Sequence, residues 1–337
     1  MKKNNAILIL IMFLAGIMVV TSCKKDDDDD EPENTTVPHS DMNDDSTTSI
    51  KVTIPRIEVN PARASEITVF LSVTDQDGNP LKNFNQYNFL IKQACAGDTD
   101  STIVGSLDFS TLNQEGSDIA AAMTLDYSGS MSSQNITDME DAVTYFINLK
   151  DPSDMAEIIK FASDIDVVTP FTNNAQTLID GVNTSVSIGI YTSFFDAIDV
   201  GLDDADSLLN TGGDYLPAIV AFTDGGDNDS HVTLSEVITK ANNFQVPIYT
   251  LGFGSVDEQV MNELADESGG RYYYSPNSAQ IQDLYTLISG QLKNMYVVTW
   301  TYDDPTCTEV VVVVRSSYTC ANGTFHSFAT KYFTPLK

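Results

Sequence analysis

A chain of 337 residues, 42 % of them apolar, is long enough for about two globular domains. Its 17 basic against 48 acidic residues leave a net charge of −31, which phosphate backbones repel, so nucleic acid is excluded as a partner. The 4 cysteines include no Cys-x-x-Cys pair and the 3 histidines (His39, His231, His326) stand far apart, which argues against a thiolate or histidine metal cluster.

Lys2 and Lys3 precede an apolar run from Ala6 to Val20. Its 15 residues are the length of a signal peptide. They fall short of the ~20 that a spanning helix needs. The run closes on Val20, Thr21, Ser22 and Cys23: aliphatic, small, small, cysteine. That order resembles the lipobox of bacterial lipoproteins. The resemblance implies a leader over residues 1–22, cleavage before Cys23, and lipidation of that residue; the plain alternative is a secreted protein. Residues 23–49 carry many acids and almost no large apolar side chains, so they cannot bury enough surface to offset chain entropy. They read as a disordered tether. An acidic run directly after such a cysteine also resembles the surface-export signal of Bacteroidota lipoproteins. This implies an outer-membrane lipoprotein exposed on the cell surface, with a periplasm-facing anchor as the alternative. The lipid would be the chain's sole membrane contact.

Residues 50–115 read as strands, with Asp75-Gln76-Asp77-Gly78-Asn79-Pro80 as a turn. The turn superficially resembles a calcium loop but lacks the acid at its twelfth position. Residues 116–292 alternate short apolar runs with amphipathic stretches, the pattern of a mostly parallel sheet covered by helices on both faces. Ile119–Leu125 is the first strand. Met139, Ala142, Val143, Phe146 and Ile147 mark a helix, with Thr137 and Glu140 spaced as a capping box. Two strands over 155–171, a helix from Asn174, a helix from Ser193 and the strand Leu216–Asp224 follow. A helix over 234–244 comes next, with Asp229 or Ser230 on the loop near its cap, and then further strands and helices to residue 292. Residues 293–337 return to β. Neither β segment makes a good core alone, so the two are expected to pack as one small sandwich around the inserted α/β domain. In that sandwich Trp300 and the run Val310–Val314 fall in the core. Cys307 and Cys320 flank a hairpin and are expected to form a disulfide, with Cys95 left over.

Two central strands end in acids, Asp126 and Asp224. In an open α/β sheet, ligands bind outside the carboxyl ends of the strands where strand order reverses, so both carboxylates are expected in one crevice with the hydroxyls of Ser128 and Ser130. Thr192 lies on the loop before a helix. Asp126-Tyr127-Ser128-Gly129-Ser130, then Thr192 ahead of Asp196, then Thr223-Asp224-Gly225 closely resemble the von Willebrand factor type A domain and its metal-ion-dependent adhesion site. The resemblance covers residues 116–292. It implies a doubly wound fold and a metal site at Asp126, Ser128, Ser130, Thr192 and Asp224. The paired glycines often found before the family's threonine are missing, and Thr184 and Ser193 are nearby substitutes for Thr192. Oxygen-only ligands select Mg²⁺ first, then Ca²⁺ or Mn²⁺. The resemblance further implies a protein or matrix-like partner that offers a carboxylate to the ion. An envelope assembly component docking through the same domain is the alternative. No G-x-S-x-G, H-E-x-x-H or dinucleotide motif is present, so neither an enzyme nor a nucleotide-binding protein is expected.

Overall fold

The computed structural model describes residues 46–59, 66–113, 118–213, 215–254, 256–274, 284–302, 304, 307–320 and 322–334. The leader, Cys23 and most of the acidic tether lie outside them.

Runs of β-branched and aromatic residues at both ends of the chain become strands of shared sheets. The N-terminal segment gives β1 (Ile50–Val59), β2 (Glu66–Asp75), β3 (Phe89–Cys95), β4 (Thr102–Ile103) and β5 (Asp108–Asn113). The C-terminal segment gives β12 (Asn294–Thr301), β13 (Val310–Cys320) and β14 (Gly323–Phe333). They pair antiparallel in the orders β1-β2-β12-β5 and β14-β13-β3-β4. Each sheet therefore needs both ends of the chain, and β12 sits in the middle of the first. Val69, Leu71, Ile91, Val298, Val312 and Val314 meet in one core between the two sheets. Trp300 is buried there and its indole N–H donates to Gln93 Oε1 at 2.6 Å. Residues 310–314 bury only every second valine, Val310, Val312 and Val314, as a strand with one face on a core must.

The expected Cys307–Cys320 bridge is not formed. Cys307 bonds Cys95, and Cys320 is a free, half-buried thiol. The reason is geometric. Cys307 precedes the start of β13 and Cys320 ends it, roughly 40 Å away along an extended strand. Register places Cys95 opposite Val310, beside Cys307.

The segment between the two β regions folds as the six-stranded sheet β11-β10-β9-β6-β7-β8. Its strands are β6 (Asp118–Asp126), β7 (Met155–Phe161), β8 (Ile165–Thr172), β9 (Tyr215–Thr223), β10 (Ile248–Gly252) and β11 (Tyr272–Tyr274). All neighbours run parallel except β7 and β8. Helices α1 (Ser133–Leu149), α2 (Ala175–Val182) and α6 (Leu284–Lys293) cover one face. Helices α3 (Phe194–Leu209), α4 (Leu234–Phe244) and α5 (Glu258–Ser268) cover the other. Alternation along β6 sends Ala121, Met123 and Leu125 to the first face and Ala122 to the second.

Polar contacts lock this layered domain to the sandwich. The Arg271 guanidinium donates to the carbonyls of Asp75 and Gln76 at 3.1 and 2.9 Å, and to the Thr74 hydroxyl. Gln291 donates to the Gly78 carbonyl at 3.1 Å. Asp75 turns its carboxylate on the N–H groups of Asp77 and Asn79 and on the Asn79 amide, at 2.9–3.0 Å. The Asp75 carboxylate is thus committed within the turn, and the carbonyls of Asp75, Gln76 and Gly78 to the neighbouring domain. Buried Lys331 donates to Ile54 and Pro55 carbonyls at 3.0 Å and to Ser268 at 3.4 Å, where α5 ends. Backbone approach is so close there that a Cβ on Gly269 (φ +93°) would lie 2.4 Å from the Ile54 oxygen.

One buried acid makes stability pH-dependent. Glu157 on β7 faces Asp204 on α3, and burial, then the Asp204 charge, pushes its carboxyl up from 4.5 to about 8. Between those values the folded chain holds a proton that the unfolded chain has lost, so folding stability falls as pH rises through the window. Glu157→Gln carries no such penalty. Its stability relative to wild type should rise by on the order of 3 kcal/mol between pH 5 and pH 8 in urea titrations. A pH-independent difference would contradict this assignment.

Candidate metal centre

Strand order reverses at β6: the chain leaves it for β7 on one side and returns to β9 on the other. Asp126 closes β6 and Asp224 follows the end of β9, so both acids stand at the carboxyl end of the sheet where the switch occurs. Three loops converge there. The Gly129 N–H donates to the Ile190 carbonyl at 2.9 Å, joining the 128–130 loop to the 189–193 loop. The Thr192 carbonyl accepts the N–H groups of Asn228 and Asp229 at 3.0 and 3.2 Å, joining the second loop to the third. Ser130 Oγ lies 3.4 Å from where a Cβ on Gly225 would stand, so the first and third loops also touch.

Asp126 is fully buried. Its Oδ1 accepts the Ser128 N–H at 2.7 Å and its Oδ2 the Thr223 hydroxyl at 2.6 Å. Burial raises its carboxyl pKa, the hydrogen bonds from Ser128 and Thr223 oppose that rise, and the charge of Asp224 adds to it. Ser128 and Ser130 bring their hydroxyls within 3.0 Å of each other. Asp224 Oδ2 accepts the Asn135 amide at 3.3 Å, while Asp224 Oδ1 is buried with no hydrogen-bond partner. Thr192 is buried, and its hydroxyl has one long contact, 3.5 Å from Asn228 Nδ2.

An unpartnered buried carboxylate oxygen costs free energy, the more so next to a second buried acid. A divalent cation removes that cost. The donor set is carboxylates and hydroxyls only, and it fits a hard cation. Among the described residues no three His, Cys, Asp or Glu side chains gather as a metal-binding group. The centre offers two carboxylates and the hydroxyls of Ser128, Ser130 and Thr192. Of the substitutes for Thr192, Thr184 donates its hydroxyl to Asp180 at 2.8 Å and Ser193 to Ser163 at 3.1 Å. Both hydroxyls therefore turn their protons to backbone carbonyls.

One local expectation is corrected. Helix α1 starts at Ser133 with Ser132 as its cap, accepting the Asn135 N–H at 3.0 Å. Thr137 sits in the helix with its hydroxyl on the Ser133 carbonyl, and Glu140 accepts the Tyr127 hydroxyl at 2.7 Å. The polar first turn adds nothing to the apolar stripe, so the stripe alone starts the helix too late and hides Asn135. Helix α4 is capped by Thr233 in a capping box with Glu236, and Asp229 and Ser230 lie on the loop just before that cap. Ser230 instead donates to Asp227, whose Oδ1 also takes the Phe195 N–H at the start of α3. The exposed His231 ring meets Asp196 at 2.9 Å.

Three supporting groups were not singled out from sequence: the Thr223 hydroxyl, Asn135 and Asn228. Thr223 lies inside the Thr-Asp-Gly motif and was findable. The other two are single polar residues, one in a first turn and one in a loop, with no spacing signal.

Residues 122–287 match the family model of the von Willebrand factor type A domain. No curated protein sequence matches the chain. Among solved structures, BatB from Bacteroides thetaiotaomicron aligns at 17 % identity and TM-score 0.45, over 52 % of this chain and 99 % of that one. A von Willebrand factor type A protein from Catenulispora acidiphila aligns at 10 % identity and TM-score 0.46, over 85 % and 73 %. Proximal thread matrix protein 1 from the mussel byssus, with zinc in its MIDAS motif, aligns at 14 % identity and TM-score 0.44, over 51 % and 47 %.

Proposed function

The chain carries a von Willebrand factor type A domain over residues 122–287, and on that premise we propose that it captures a protein partner through a divalent cation. Asp126, Ser128, Ser130, Thr192 and Asp224 would hold the ion, with Mg²⁺ the first choice and Ca²⁺ or Mn²⁺ next. The observation that carries this reading is the buried, unpartnered Asp224 Oδ1 at the meeting point of three oxygen-bearing loops. When bound, such an ion supplies an open coordination position for a carboxylate of the partner. This chain's residues do the rest. Asn135 orients Asp224, the Thr223 hydroxyl orients Asp126, and Asn228 clamps the Thr192 backbone. Beside Thr192, Ile190 and Tyr191 are 67 % and 57 % exposed, an apolar rim of the kind a protein partner covers.

The role is binding rather than catalysis. Among the described residues the general-base candidates beside the two carboxylates are Asp227 and Asp229, and the Oδ1 of Asp227 is taken by Ser230 and Phe195. Cys23 would anchor the chain by lipid to the outer membrane, with the acidic stretch holding the domain away from the surface. Capture of partner from intact cells should be lost in EDTA and in Asp126→Ala, and Cys23→Ser should release the protein from the membrane fraction. Capture that survives both EDTA and Asp126→Ala would overturn the cation reading.

A further inference from the structure

We propose that the partner which offers a carboxylate to the cation also places a lysine or arginine side chain in the cavity next door. The acid half of this statement rests on the reading above. The basic half rests on the cavity itself. Gly225 and Gly226, the two residues after Asp224, form one wall of a cavity of about 180 Å³. Phe194, Phe195, Val260 and Met261 line it with apolar surface, and Asp227 and Asp257 are the charged residues of its lining. The volume is below the ~300 Å³ at which pockets for whole small molecules begin, but it admits one long side chain.

Charge decides the type of side chain. The N-termini of α3 and α5 both border the cavity and favour anions, each with about +0.5 of an elementary charge. Two carboxylates outweigh them, leaving roughly one net negative charge. Each carboxylate spends Oδ1 on its helix. Asp227 Oδ1 accepts the Phe195 N–H at 3.3 Å and the Ser230 hydroxyl, and Asp257 Oδ1 accepts the N–H groups of Gln259 and Val260 at 3.1 and 3.3 Å. Oδ2 of both remains for a donor from outside. An aliphatic stem with a cationic head matches this lining, with the stem on Phe195 and Val260 and the head on the acids. A purely apolar side chain leaves both acids unused, and a bare metal ion leaves the apolar walls unused.

The test uses the full chain with ¹³C-methyl methionine, the Met261 resonance being assigned by its loss in Met261→Leu. Titration with n-butylammonium should displace that resonance saturably, about fivefold more tightly than n-butanol. Asp257→Asn keeps an acceptor for the helix cap and should reduce that preference to less than twofold. Gly226→Val, at a position where an added Cβ meets nothing within 4 Å, should weaken both titrants by narrowing the opening. Equal binding of butanol, or no displacement, would overturn the basic subsite. In a second arm, glycine–serine peptides bearing one aspartate carry lysine or glutamine one to four residues away. Lysine peptides should be retained about fivefold more strongly in Mg²⁺, and all should be lost in EDTA. Retention in Mg²⁺ that ignores lysine would overturn this proposal and keep the cation reading. Retention of lysine peptides that ignores Mg²⁺ would overturn the cation reading and keep the pocket.

Discussion

Asp126→Asn should abolish the stabilisation of this protein by Mg²⁺ while leaving the fold in EDTA close to wild type. A ligand that binds the folded state alone stabilises it by about 2.7 kcal/mol at a concentration one hundred times its dissociation constant. Wild type should show a gain of that size, and the variant none. Asparagine keeps an acceptor for the Ser128 N–H or the Thr223 hydroxyl, which Asp126 now holds at 2.7 and 2.6 Å. The cost in EDTA should therefore stay near 1 kcal/mol, the usual size of one weakened hydrogen bond. Alanine leaves the Ser128 N–H unsatisfied and turns the Thr223 hydroxyl to the Gly225 carbonyl at 3.2 Å, and it should cost more, about 1–3 kcal/mol for the lost acceptor. Urea titrations with and without Mg²⁺ separate the two effects. Equal Mg²⁺ stabilisation of wild type and Asp126→Asn would remove Asp126 from the site.

Breaking the Cys95–Cys307 bond should weaken the whole β-sandwich. The bond spans 212 residues of sequence and ties β3 to the start of β13, across the entire inserted domain. Chain-entropy reasoning gives about 5 kcal/mol for a loop of that length, and measured disulfides typically give about 2–4. A loss of roughly 2–5 kcal/mol is expected for the Cys95→Ser, Cys307→Ser double variant. The transition that moves should include both β segments, because β12 lies between β2 and β5 and β13 between β14 and β3. Peptide mapping under non-reducing conditions should join Cys95 to Cys307 and leave Cys320 free to alkylate. A Cys307–Cys320 peptide, or unchanged stability in the double variant, would contradict the arrangement.

The two cysteine expectations differ for a reason that applies across the chain. Local sequence proposes the nearest partner, Cys320, but a strand separates its two ends by its full length. Which strands become neighbours is a tertiary matter, and Cys95 becomes the neighbour only through β3–β13 pairing. The sandwich was legible in outline because each β segment is too small to bury itself. Its two sheets are less simple than one half packing on the other, since each sheet draws strands from both halves.

The crevice at the carboxyl ends of the strands was legible for a different reason. Asp126 and Asp224 each close an apolar strand run, and in a parallel sheet strand ends share an edge. Thr192 came from the family's motif order, and the structure supplies what holds it: Asn228 accepts its N–H at 2.9 Å and donates its own N–H to the Thr192 carbonyl at 3.0 Å. Asn135 was hidden because a polar first turn leaves no mark on a hydrophobic period. The turn at Asp75–Asn79 had the composition of a cation loop. Only the fold reveals that Arg271 and Gln291 occupy its carbonyls.

The most direct measurement on the centre is anomalous diffraction from crystals soaked in Mn²⁺. One ion should appear in contact with the hydroxyls of Ser128 and Ser130 and with a carboxylate of Asp126 or Asp224, and the peak should vanish in Asp126→Asn. An ordered Mn²⁺ elsewhere with this crevice bare, or a peak that persists in Asp126→Asn, would contradict a cation centre built from these residues.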